Sequence, residues 1–272
     1  MKKHRQGRIT REGRGAEGTR RTDTGTEVLY GRQPVHEMLL AGRRRVEALY
    51  LARTLDPREE THALRVLAEE RRVAIRAADV SQLDQMSAGG HHQGVVSVVS
   101  PFRYVSYKKL LSDAEQVENP LFLFLDHLED PQNVGSLLRT AEGCGVNGVV
   151  LPEHRAAGVT AAVVRASAGA AEHLPVARVT NLVRCMRLLQ ERGVWFAGLD
   201  GGDDAVPITE SRLCGPLGVV IGSEGRGMRR LTRESCDFVV RLPMLGRITS
   251  FNAAVAGAMA LYEVVRQRSQ GQ

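Results

Sequence analysis

The residues of this chain best suited to chemistry fall in three short segments, each where an apolar run gives way to a turn. The first, residues 126–140 (DHLEDPQNVGSLLRT), leaves an apolar strand and enters a helix. Free N–H groups at such a helix start favour an anionic ligand. Asn133 offers two amide hydrogens and an acceptor oxygen. Arg139 lies about 240° around the helix from Asn133, at roughly 100° per residue, but still near the same end. Taken alone, the segment also fits an ordinary capped loop with a surface arginine. The second segment, residues 219–228 (VVIGSEGRGM), runs from a strand into a loop with glycines at 222, 225 and 227. Such glycines allow close backbone approach around a flat or charged cofactor. Glu224, in the middle of the loop, could orient a base, a ribose or an arginine. The third, residues 241–256 (RLPMLGRITSFNAAVA), ends a strand and opens an Ala-rich helix that Ser250 is placed to cap. Asn252 brings a carboxamide into this apolar stretch, where it must find hydrogen bonds if buried.

Several chemistries are excluded. The glycine loop lacks the Lys-Ser/Thr ending of a nucleotide-triphosphate loop, and the first βα turn lacks the dinucleotide fingerprint. The histidines, His92 and His127 among them, are bases in principle but show no metal spacing, and no metal is expected. Cys144, Cys185, Cys214 and Cys236 have neither the density nor the spacing of a disulfide or zinc scaffold. No apolar run is long enough to span a membrane, and the first residues lack a secretory core.

The net charge of +6 is concentrated: residues 1–23 hold eight basic side chains against three acidic, and the remainder is close to neutral. A basic arm on a neutral body steers toward polyanions. With 1 Trp, 5 Tyr and 6 Phe, a surface built mainly of stacked rings is not expected.

The elements that must position these residues read as two α/β domains. Residues 1–26 are a basic arm expected to be disordered. Residues 27–100 form a small α/β module: a helix opened by Pro34 and ended by Gly42, a strand at 46–52, a helix at 58–71, a strand at 73–76, a short helix at 80–86 and a strand at 94–99. Residues 101–118 are a linker with room for a helix at 108–115. Residues 119–272 form the larger domain. Its strands are expected at 121–126, 148–151, 194–199, 217–221 and 238–242, with helices at 133–142, 160–169, 181–191, 228–234 and 251–268. Alternating strands and helices imply a mainly parallel sheet covered on both faces.

Taken together, the three segments resemble the SpoU (TrmH-like) RNA 2′-O-methyltransferases of the SPOUT class. The matching elements are Asn133/Gly135/Arg139/Ala141, Gly222/Glu224/Gly227 and Pro243/Met244/Gly246/Ser250/Asn252, in the family's order. Residues 29–35 (LYGRQPV) and 92–95 (HQGV) look like the ends of the ribosomal-protein-like substrate-binding domain of this group, and residues 164–173 (VRASAGAAEH) add to the likeness. The resemblance implies a deep carboxy-terminal trefoil knot, a homodimer, bound S-adenosyl-L-methionine and no membrane or DNA partner. It further implies methyl transfer to the ribose 2′-hydroxyl of a guanosine in 23S ribosomal RNA, in the peptidyl-transferase loop, in the cytoplasm. A tRNA guanosine, a different rRNA loop and a non-catalytic ribosome-assembly role are the alternatives. By residue matching, Asn133, Arg139, Glu224, Ser250 and Asn252 are catalytic, with Asn133 and Glu224 orienting Arg139 or the nucleotide. Gly222, Leu242 and Phe251 fall at cofactor positions, Phe251 standing where the family commonly has Leu.

Overall fold

The computed structural model describes residues 25–56, 61–202 and 204–270. Residues 1–24, and the reading of them as a disordered arm, lie outside the described residues.

The amino-terminal module runs β1 (Glu27–Tyr30), α1 (Arg32–Ala41), β2 (Val46–Ala52), α2 (His62–Glu70), β3 (Ile75–Ala78), α3 (Val80–Met86) and β4 (Val95–Val99). Its sheet has the order β1-β4-β2-β3, with β4 antiparallel to both neighbours and β3 parallel to β2. Gly42 ends α1 in the left-handed region, its N–H donating to the Met38 carbonyl. Leu29, Val35, Met38, Leu39, Leu49, Leu51, Val95 and Val99 fill the space between helices and sheet.

The segment 101–118 is laid against the larger domain. Val105 donates its N–H to the Val176 carbonyl, and α4 (Tyr107–Ala114) buries Leu110 and Leu111. The Tyr107 hydroxyl donates to the Cys185 carbonyl at 2.6 Å.

The larger domain comprises β5 (Leu121–Asp126), α5 (Pro131–Gly143), β6 (Gly148–Pro152), α6 (Ala161–Ala166), β7 (Val176–Val179), α7 (Leu182–Gln190), β8 (Trp195–Leu199), β9 (Val206–Pro207), β10 (Leu217–Gly222), α8 (Arg230–Glu234), β11 (Phe238–Arg241) and α9 (Ala253–Gln270). Its seven strands are all parallel, in the order β7-β6-β5-β10-β8-β11-β9. The central pair, β5 and β10, is buried at every position, as expected for nearly continuous apolar runs covered on both faces. The strands β1, β7 and β9 were not anticipated from the sequence. They are four, four and two residues long.

From β5 the chain steps outward through β6 and β7, then crosses to build the other half of the sheet around β10. The carboxyl ends of β5 and β10 therefore flank a topological switch point, where open α/β sheets bind ligands. Gly222 ends β10 in register with Asp126, the end of β5. The last helix, α9, returns from the β11 side to lie on α5. Gly257 makes this approach possible, since a Cβ there would fall 2.4 Å from Leu137 Cδ2. No helix among the described residues is long and apolar enough to cross a membrane.

The two domains share a polar contact. The fully buried Arg44 side chain meets Glu172, on the 3-10 turn after α6, through Nε to Oε2 at 3.1 Å. A second approach, Nη2 to Oε1 at 2.7 Å, lies off the N–H direction. Arg44 also reaches Glu27 Oε2 at 2.7 Å and the Ser100 carbonyl at 3.2 Å, beneath the ring of Phe102. Arg43 donates to the carbonyls of His173 and Leu174, and Glu37 pairs with His173 at 2.7 Å. Part of the 164–173 segment thus builds a domain junction.

Candidate active site

Each of the three segments folds as its local chemistry dictates. Asp130 caps α5, its carboxylate accepting the Gln132 N–H at 2.9 Å, with Pro131 at the first helical position. That start places Asn133 on the buried side of the first turn. After β10, reciprocal backbone hydrogen bonds of 3.0 Å between Ser223 and Gly227 close a tight loop carrying Glu224. Gly222 is obligatory there, because a Cβ would sit 2.2 Å from backbone atoms of Gly227 and Met228.

The third segment corrects one expectation. Asn252, not Ser250, caps α9: its Oδ1 accepts the N–H groups of Ala254 at 2.9 Å and Val255 at 3.2 Å. The helix begins at Ala253, so Ser250 stands too far back to reach the free donors. Ser250 is exposed and borders the cleft.

The carboxamide of Asn252 has a second task. Its Nδ2 donates to Glu224 Oε1 at 2.5 Å and to Asn133 Oδ1 at 3.0 Å, while Asn133 Nδ2 donates to the same Glu224 oxygen at 2.7 Å. One residue from each segment thereby closes a three-way network joining the starts of α5 and α9 to the glycine loop. Arg139 is not part of it. It is exposed further along α5 and has no hydrogen bond or ion pair among the described residues. The hydrogen bonds of Asn133 and Glu224 do not reach Arg139, which leaves orientation of the nucleotide as the expected role of the pair. Their polar groups satisfy one another and Asn252, and Arg139 faces solvent.

Beside the network lies a cleft of about 590 Å³. Leu199, Ile221, Leu242 and Phe251 give it apolar lining, and Gly222, Glu224, Gly225 and Gly227 of the glycine loop border it as well. The three positions matched to cofactor contact, Gly222, Leu242 and Phe251, all border it, as do Glu224, Ser250 and Asn252; Asn133 and Arg139 do not. Its size falls in the range for small-molecule sites, roughly 300–1,000 Å³. An apolar slot for a base beside a glycine-rich polar lip fits S-adenosylmethionine, and no metal-type donor set is needed to hold it.

Sequence reasoning passed over two carboxylates here. Asp126, fully buried, accepts the Arg229 N–H at 2.7 Å and meets His127 Nδ1 at 2.5 Å, tying the end of β5 to the chain beyond the glycine loop. An acidic residue closing an all-apolar strand was the available signal. Asp200, just after β8, borders the cleft and had no motif to mark it.

Comparison with known proteins places this geometry. Residues 120–262 match the model of the SpoU rRNA Methylase family, and residues 28–105 match that of RNA 2'-O ribose methyltransferase substrate binding. A putative TrmH family tRNA/rRNA methyltransferase of Bacillus subtilis, YacO, is 47% identical over 206 residues, covering 75% of this chain and 81% of its own. The 23S rRNA (guanosine-2'-O-)-methyltransferase RlmB of Vibrio cholerae is 41% identical over 244 residues, covering 89% and 97%. The crystal structure of the SpoU methyltransferase AviRb from Streptomyces viridochromogenes, in complex with the cofactor AdoMet, superposes with a TM-score of 0.74 at 27% identity, covering 91% of this chain and 92% of that one. With a family model spanning more than half its length and full-length relatives above 40% identity, the chain belongs to the SpoU rRNA methylase family.

Proposed function

We propose that this protein methylates the ribose 2′-hydroxyl of a guanosine in 23S ribosomal RNA, in the peptidyl-transferase loop. The observation that carries the reading is the joining of Asn133, Glu224 and Asn252, one from each family segment, beside a cleft that Glu224 and Asn252 border together with Gly222, Leu242 and Phe251. The 23S rRNA guanosine is supported by relatives named 23S rRNA (guanosine-2'-O-)-methyltransferase, which align over about nine-tenths of this chain; the loop is our reading from the resemblance of the motifs.

S-adenosylmethionine supplies the electrophilic methyl group. Leu199, Ile221, Leu242 and Phe251 would hold its base, and the loop from Gly222 to Gly227 would hold its polar parts. The Asn133–Glu224–Asn252 network fixes the two loops between which the acceptor ribose enters, so the reaction gains mainly from positioning. Arg139 is the catalytic residue. An arginine only donates hydrogen bonds near neutral pH, so it serves as a clamp on the adjoining phosphate and offsets the negative charge that develops on the 2′-oxygen as its proton passes to solvent, with S-adenosylhomocysteine as the leaving group. Among the described residues it has no hydrogen-bond or ion-pair partner, which keeps it available for that contact. DNA, which has no 2′-hydroxyl, is no substrate.

The amino-terminal domain docks RNA through phosphate contacts away from the reacting ribose. Two copies pair through α9, where Val255, Met259 and Tyr262 form an exposed apolar stripe at helical spacing. We read the return of α9 over α5 as the path of the trefoil knot that the resemblance implies. The protein works in the cytoplasm, where bacterial ribosomal subunits assemble.

The test is methyl transfer from labelled S-adenosylmethionine to a peptidyl-transferase-loop transcript. The wild type labels it, and Arg139→Ala abolishes labelling while leaving fold and assembly intact. An active, folded R139A enzyme would remove Arg139 from its role. Labelling confined to tRNA would keep the chemistry and reject the substrate. Sedimentation of wild type and Val255→Glu tests the dimer.

A further inference from the structure

Asp200 borders the cleft, yet it belongs to none of the three family segments. Its side chain is 27% exposed and held from behind. One oxygen, Oδ1, accepts the Gly201 N–H at 2.7 Å, and Oδ2 accepts Arg233 Nε at 3.2 Å. Arg233 is anchored in turn on Asp204 Oδ1 at 2.5 Å, so the carboxylate is fixed in direction before any ligand arrives. Gly227 stands opposite. A Cβ there would lie 3.8 and 3.9 Å from the two Asp200 oxygens, and its backbone, at φ +65°, disfavours any residue that carries one. The carboxylate face toward Gly227 is therefore left open.

The other carboxylate of the cleft is differently placed, since Glu224 Oε1 is engaged by Asn133 and Asn252. Each Asp200 oxygen retains acceptor capacity for a further donor. Leu199, the residue immediately before it, belongs to the apolar wall with Ile221, Leu242 and Phe251. Asp200 is thus adjacent to that wall, within the same cleft, where its open oxygens can meet a donor on a ligand seated there. The guanidinium of Arg233 already balances charge at Oδ2, which favours neutral O–H donors over a second cation.

We propose that Asp200 is a specificity-determining residue that recognises the vicinal 2′,3′-diol of the cofactor's ribose. This rests on the reading of the cleft as the S-adenosylmethionine site. Acidic side chains bind ribose hydroxyls in the same way in unrelated dinucleotide pockets.

Calorimetric titration of the full-length protein tests it, using S-adenosylhomocysteine and its 2′,3′-dideoxy analogue as probes. The wild type favours the diol-bearing ligand by about tenfold or more, as expected for hydrogen bonds to a charged group. In Asp200→Ala that preference collapses: S-adenosylhomocysteine weakens to the level of the dideoxy analogue, whose own affinity is unchanged. Asp200→Asn, which keeps the side-chain volume and one acceptor oxygen, falls between the two and supplies the comparison should the alanine variant not fold. A folded Asp200 variant that retains the wild-type preference, or that loses affinity equally for both probes, overturns the proposal. A wild-type protein that binds neither probe overturns the cofactor site itself, a different result from loss of diol preference alone.

Discussion

Glu172→Ala breaks the buried pair that joins the two domains. Arg44 is 0% exposed at its side chain and Glu172 is 1% exposed, so removing the carboxylate leaves a guanidinium that water cannot reach. Burial pushes the Glu172 carboxyl up from its usual range while Arg44 pulls it back, which marks the pair as mutually dependent. Breaking a buried pair by removing one partner costs about 3–5 kcal/mol. Glu27 Oε2 at 2.7 Å and the Ser100 carbonyl at 3.2 Å remain on Arg44, which sets the expected loss at the lower end, about 3 kcal/mol. Equilibrium urea unfolding, followed by circular dichroism, measures it. The double replacement Arg44→Met with Glu172→Met removes both charges and should lie within about 1 kcal/mol of wild type, because buried pairs are often replaceable by apolar residues. A loss below about 0.5 kcal/mol in E172A would refute the reasoning, since an uncompensated buried charge cannot be that cheap.

Other consequences are as specific. Gly222→Ala places a methyl 2.2 Å from the backbone of Gly227 and Met228, so the loop must shift; stability should fall by about 1–3 kcal/mol, read by urea unfolding, with cofactor affinity falling in calorimetry. Asn252→Ala should cost about 1 kcal/mol through the lost cap of α9 and also lower methyl transfer, whereas Asn252→Asp should keep the cap yet lose transfer at neutral pH by placing a carboxylate against Glu224. Burial pushes the Cys185 thiol up to about 11 and the Cys236 thiol up to about 12. Iodoacetamide at about pH 8 should therefore leave both unmodified in the native protein and label them after unfolding, because the thiolate is the nucleophile.

The sequence made the central strands and the site residues legible for definite reasons. Residues 121–126 and 217–221 are short apolar runs of the kind that suits a doubly covered strand, and both form as such, the second extended to Gly222. Asn133, Glu224 and Asn252 stood out as polar groups at the edges of apolar elements, and the structure brings the three together. Their pairing could not be read, because it depends on how α5, α9 and the glycine loop approach one another. The same holds for Asp126 and Arg44, whose partners lie 103 and 128 residues away. Ser250 misled because two potential caps lie two residues apart, and only the first helical dihedral decides between them. Strands such as Val176–Val179 are defined by their neighbours in the sheet rather than by any period of their own.

The central claim is tested most directly by site-resolved mapping of ribose 2′-O-methylation in total RNA, from cells with and without the gene. Loss of one guanosine methylation in the peptidyl-transferase loop of 23S rRNA, restored by the wild-type gene but not by R139A, is the expected result. An unchanged 23S rRNA pattern alongside a lost tRNA methylation would contradict the assigned substrate, and an unchanged pattern throughout would contradict the assigned activity.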